Sequence, residues 1–112
     1  MYFKEFTLRA DYPEDILTEI LYEIASARAD GAELLRINIP SGDSFSLPLK
    51  RRHSVLTRIF KNMKNSKRIQ FFATNESFAG QNTEAVFLQN KYPEHFLNAG
   101  VDEETTFIYI KL

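Results

Sequence analysis

The feature that most constrains this chain is its hydrophobic period, which switches between the strand's two residues and the helix's roughly 3.6 along its length. In residues 2–8, Tyr2, Phe6 and Leu8 face one way and Glu5 and Thr7 the other, as in a half-buried strand. Ile16, Leu17, Ile20, Leu21 and Ile24 then recur at helical spacing, with Glu14, Asp15, Glu19 and Glu23 opposite. Asp11 reads as the helix N-cap, Glu14 completes a capping box and Pro13 suits the first turn. Asp30-Gly31 supplies the stop.

The alternation repeats. Leu35, Ile37 and Ile39 alternate with Arg36 and Asn38 in a strand over 33–39, and Leu34 adds apolar surface on the second face. Pro40-Ser41-Gly42-Asp43 breaks it, and Pro48 opens a helix. Leu49, Val55, Leu56, Ile59, Phe60 and Met63 form the stripe of that helix, with Arg52 at its edge, and Asn65-Ser66 ends it. A third strand is expected over 67–74, a loop over 75–81 and a helix from Asn82 or Thr83 to Tyr92. Pro93 interrupts that helix, a short helical turn continues over 94–99 and Gly100 closes the stretch. A β-branched and aromatic strand follows over 105–112. The order β-α-β-α-β-α-β predicts one α/β domain over 1–112. We expect a sandwich built on a mostly parallel four-stranded sheet with two to three helices. The last strand is free to join in either direction.

Charge is segregated along this frame. Residues 1–43 hold nine acids and four bases, 44–75 hold eight bases and no acid, and 76–112 hold six acids and two bases. A net charge of −1 therefore hides a block of +8. Lys50, Arg51, Arg58, Lys61 and Lys64 fall on one arc of the second helix, opposite its apolar stripe. Lys67 and Arg68 open the next strand and extend the patch. Such an arc neutralises phosphates, and the loop at the helix start, with Ser41 and Gly42, offers amide donors to an anion. The competing reading is a solvated face, or one that pairs with the acids of the first helix.

Other chemistries find less support. The chain has no cysteine, which excludes disulfides, thiol nucleophiles and iron–sulfur ligation. His53 and His95 stand far apart, and no cluster at metal spacing appears, so no metal or other cofactor is implied. Pro40-Ser41-Gly42-Asp43 lacks the Gly-x-Ser-x-Gly elbow, and four glycines in total make no nucleotide-cradling loop, so no catalytic residue is assigned. Asp102-Glu103-Glu104 reads as a solvated turn before the last strand. The loop after the third strand, with Asn75, Glu76 and a potentially exposed Phe78, lies where α/β sheets commonly bind ligands. No run approaches the roughly 20 apolar residues of a membrane span, and the start Met1-Tyr2-Phe3-Lys4-Glu5-Phe6 lacks a signal-like stretch. The expectation is a soluble cytoplasmic protein.

Phe6-Thr7-Leu8-Arg9-Ala10-Asp11-Tyr12-Pro13-Glu14-Asp15-Ile16 resembles the opening of the small MutS-related (Smr) domain, a strand ending Leu-Asp-Leu-His or Leu-Asp-Leu-Arg before an acidic helix start. The later order is similar: a strand Leu35-Arg36-Ile37-Asn38-Ile39, a polar loop, a basic helix and a closing strand. Thr7 stands at the acidic position of the first motif, and Pro40-Ser41-Gly42-Asp43 at the family's His-Gly-x-Gly loop. The resemblance implies a related βαβ sandwich and, more distantly, nucleic-acid binding or nicking. The leading function is a small non-enzymatic module whose basic helix, extended by Arg68, engages RNA, DNA or an acidic protein. The alternative is a structural domain that forms a homo-oligomer through a charge-complementary self-interface. A nuclease, resting on the resemblance alone, ranks third.

Overall fold

The computed structural model describes residues 2–41, 45–99 and 105–112. β1 (Phe3–Thr7) leads to α1 (Pro13–Ala29), and β2 (Leu34–Ile39) to α2 (Leu49–Asn65). β3 (Phe71–Thr74) is followed by α3 (Asn75–Ala79), α4 (Thr83–Lys91) and α5 (Pro93–Ala99), and then by β4 (Thr106–Lys111). The α/β class matches the sequence reading; the described residues form five helices rather than two to three. Gly42, Gly100 and the acids at 102–104 lie outside the described residues.

The sheet runs in the order β1-β2-β4-β3. β1 and β2 are parallel, with Phe6 opposite Ile37. β4 is antiparallel to both neighbours, with Ile108 opposite Ile37 on one side and Tyr109 opposite Ala73 on the other. The sheet is therefore mixed, which corrects the mostly parallel expectation. α4 ends at the amino edge of the sheet, where Tyr92 stacks on Tyr2 with centroids 5.1 Å apart. The chain then returns to the carboxyl edge, where the Thr105 carbonyl accepts from Asn75 Nδ2 at 2.8 Å. One uninterrupted crossover helix would have left the chain at the amino edge, ready for a parallel strand.

Strand alternation builds two cores. Leu35, Ile37, Ile39, Ile108 and Ile110 face α1 and α2, joined by Ile16, Ile20 and Ile24 and by Leu56, Phe60 and Met63. Leu34, Ala73, Phe107 and Tyr109 face the other helices, joined by Phe78, Ala85, Leu88 and Tyr92. The stripe of α1 is narrower than its spacing suggests, because Leu17 and Leu21 are exposed. Gly31, at φ +78°, takes the left-handed turn that ends α1.

Asp11 is not the α1 cap. Tyr12 occupies that position and makes no side-chain capping bond. The Asp11 carboxylate instead accepts from the backbone amides of Leu47, at 2.9 Å, and Ser46. It clasps the β1–α1 loop to the chain entering α2. Glu19, from the second turn of α1, accepts from the amides of Arg9 and Ala10 at 3.0–3.2 Å. Asp11, read as a helix cap, and Glu19, read as a helix-face residue, thus both fasten the loops at the carboxyl edge.

Candidate anion-binding surface

α2 buries Arg52, Leu56, Phe60 and Met63, which leaves Lys50, Arg51, Arg58, Lys61 and Lys64 exposed along its outer side. Lys64 pairs with Glu84 at 3.8 Å. Among the described residues, the other four make no ion pair. The acids of α1 are occupied differently. Glu14 and Asp15 sit in its first turn, where they complement the helix dipole, and Glu19 holds the loop amides. α1 and α2 pack side by side, yet no ion pair joins them among the described residues.

α2 opposes the usual electrostatic arrangement. Its first turn holds Lys50 and Arg51 and no acid. Cations there lie at the positive end of the helix dipole, so helix stability does not account for them. Lys64, Lys67 and Arg68 lie at the other end of α2, with Arg28 at the end of α1, around a cleft of ≈ 500 Å³. Those cations complement two helix C-termini. Arg28 also donates to the Arg68 carbonyl, so Arg68 sits apart from the outer face of the helix.

Two clefts flank the exposed arc. One, of ≈ 520 Å³, is lined by Lys50, His53, Thr57, Arg58, Lys61 and Glu76. Burial lowers the His53 pKa, and Glu76 opposes that shift. The other, of ≈ 660 Å³, lies between α1 and α2, with Pro13, Leu17, Leu47, Val55 and Ile59 as its apolar lining and Arg51 and Arg58 at its rim.

The expected ligand loop after β3 is absent as a loop. Residues 75–79 form α3, closed by a reciprocal Thr74–Ser77 capping box. Asn75 bridges to β4, accepting from the Phe107 amide at 2.9 Å and donating to the Thr105 carbonyl. Phe78 is buried against Phe96, Phe107 and Tyr109. Both serve structure. Glu76 is exposed and lines the His53 cleft, and Ser41 is exposed beyond the end of β2.

Sequence reading missed three charged residues in the interior, Lys111 of β4 and two arginines. Arg52, read as bordering the stripe, is 0% exposed. Arg36, read as alternating with Leu35 and Ile37 on the second face of β2, is buried on the α5 side. Arg36 donates through Nε to Asn38 Oδ1 at 2.8 Å and through Nη1 to Tyr109 Oη at 3.1 Å, and its Nε lies 3.4 Å from Glu5. Tyr109 Oη also meets His95 Nε2 at 2.9 Å. Arg36 only donates, so the Tyr109 hydroxyl accepts from it and keeps both a proton and a second lone pair with which to meet His95. The His95 pKa is lowered, first by burial and then by Arg36. The one sequence signal for this network was an arginine inside the run Leu34-Leu35-Arg36-Ile37.

Among the described residues, no group of three or more His, Asp or Glu could hold a metal ion, and no helix is long and apolar enough to cross a membrane. No protein-family model matches the chain, and no curated protein and no solved structure matches it.

Proposed function

We propose that this chain is a small binding module that engages the backbone of nucleic acid through the outer face of α2. One observation carries the reading: Lys50, Arg51, Arg58 and Lys61 are exposed together without ion pairs among the described residues, beside an acidic helix whose carboxylates do not reach them. From Lys50 to Lys61 the arc rises about 16 Å, three helical turns, enough to follow several phosphates. The similarity of residues 6–16 to the opening of the Smr domain favours nucleic acid over an acidic protein. Nicking is not part of the proposal, because Thr7 and Pro40-Ser41-Gly42-Asp43 stand where that resemblance would put its chemistry.

Gel-shift titration of single- and double-stranded oligonucleotides at several salt concentrations tests this. Four phosphate contacts give a duplex salt slope of about −3 to −4 in log K against log salt. Changing Lys50, Arg51, Arg58 and Lys61 to Glu is expected to abolish binding. Wild type failing to bind at low salt, or the variant binding as well as wild type, would sink the proposal.

The exposed side of α1 favours a second reading. Leu17, Leu21 and Tyr22 are exposed, Tyr22 at 70%, and Leu17 lines the groove that Arg51 and Arg58 rim. An acidic helix with apolar outer residues beside a basic one suits a self-interface between copies of the chain. Sedimentation of the same charge-reversed variant separates the two. A wild-type oligomer that dissociates on charge reversal supports assembly, and an unchanged oligomeric state counts against it.

A further inference from the structure

Arg52 is the most unusual side chain in the fold. It is a charged group at 0% exposure, and its two terminal nitrogens, Nη1 and Nη2, have no hydrogen-bond partner among the described residues. Its stem starts in the first turns of α2 and points back toward the helix N-terminus, as helical side chains do. Nε donates to the Leu47 carbonyl at 3.1 Å, one residue before the N-cap Pro48. The guanidinium lies over the half-buried Phe45 ring, with Cζ 3.9 Å from its centroid. Asp11 is the acid that attracts it, but the Asp11 carboxylate is spent on the amides of Ser46 and Leu47 and makes no ion pair with Arg52. A buried arginine fork is normally satisfied by oxygens, most often two from one group.

The same helix end carries independent donors. The amides of Arg51 and Arg52 turn to the Pro48 carbonyl, whereas those of Leu49 and Lys50 have no backbone partner among the described residues. Lys50 and Arg51 add two exposed charges in the same turn. The Arg52 guanidinium, reaching back to Leu47, and the amides of Leu49 and Lys50 thus belong to the same, positive end of the α2 dipole.

We infer that the N-terminal end of α2 is a site for a tetrahedral dianion, a phosphate monoester, with Arg52 as its bidentate anchor and Lys50 and Arg51 at its rim. The inference rests on the anionic reading of α2 and not on nucleic acid being the partner. Because Nη1 and Nη2 lie beneath the surface, the phosphate reaches them as the Phe45 ring shifts aside.

An NMR titration of the full chain with inorganic phosphate, at ionic strength matched with sodium chloride, tests the site. Saturable shifts are expected at the Leu49 and Lys50 amides and at Arg52 Nε–H. Arg52→Lys keeps the charge without the fork and is expected to bind about tenfold or more weakly. Arg52→Met is expected to lose the saturable response. If Arg52→Met fails to fold, Lys50→Gln/Arg51→Gln gives the second readout, with affinity again reduced. Wild-type shifts that merely track ionic strength, or saturable binding retained in Arg52→Met, would overturn the site. Oligonucleotides with and without a 5′-phosphate then identify the source. Preference for the 5′-phosphate places the monoester on a nucleic-acid end. Phosphate binding without oligonucleotide binding keeps the site, assigns it to a small phosphorylated ligand and removes the nucleic-acid proposal.

Discussion

His53 and His95 sit on opposite faces of the sheet but respond to burial alike. Both have pKa values below the ordinary 6.5, with burial as the first cause in each. The unfolded chain therefore takes up protons at a higher pH than the folded one. The stability carried by the neutral imidazoles is complete above pH 6.5 and is lost as pH falls through the folded values. Asp11 acts with the same sign in a lower window. The Leu47 and Ser46 amides hold its carboxyl below 3.8, so its contribution disappears only in stronger acid. Urea midpoints are thus expected to drop between pH 7 and pH 5 by more in wild type than in His53→Gln/His95→Gln. Equal drops in both proteins would show that these imidazoles do not govern the slope. None of this was legible from residue types alone. A histidine beside an apolar stripe is visible in sequence, but the burial and the Arg36 charge that lower the His95 pKa come from other elements of the fold.

The long helices were readable because each satisfies several independent requirements. α1 has Pro13 at its start, a repeating isoleucine stripe and Gly31 at its end. α2 has Pro48 and an apolar stripe that continues to Met63. α3 was not readable, because five residues hold too few apolar positions to show a period. The capping box and the burial of Phe78, which tertiary structure supplies, make it a helix. Strand β3 is shorter than its alternation suggests. Lys67 adopts φ +62° in the turn after α2, which leaves Phe71–Thr74 for pairing. The importance of α3 is testable at Asn75. Asn75→Ala removes a donor and an acceptor that join α3 to β4, and it leaves the Phe107 amide without its partner at the start of the central strand. The expected cost is about 1–3 kcal/mol in chemical denaturation. A change near zero would mean that water replaces the bridge without penalty.

At the scale of the whole molecule, the strands could be found from their periods, but their order could not. Alternation specifies which residues face a core, and it identified Leu35, Ile37 and Ile39 correctly. It does not say which edge the chain occupies after α5, and that decides whether β4 runs parallel or antiparallel. By entering between β2 and β3, β4 becomes the strand that joins the two halves of the sheet, since β2 and β3 do not pair with each other. β2 and β4 are the two interior strands and are buried almost throughout, whereas β1 and β3 are shorter and form the edges. Opening an edge strand frays one ladder. Releasing β4 breaks two ladders and exposes both cores at once, so its amides exchange only through global unfolding. Native-state hydrogen exchange should then show the slowest amides at 35–37 and 107–110, with a denaturant dependence equal to that of global unfolding. The β3 amides should open earlier and with a smaller denaturant dependence. Amides of 107–110 that exchange as readily as those of Phe71–Thr74 would be inconsistent with β4 as the joining strand.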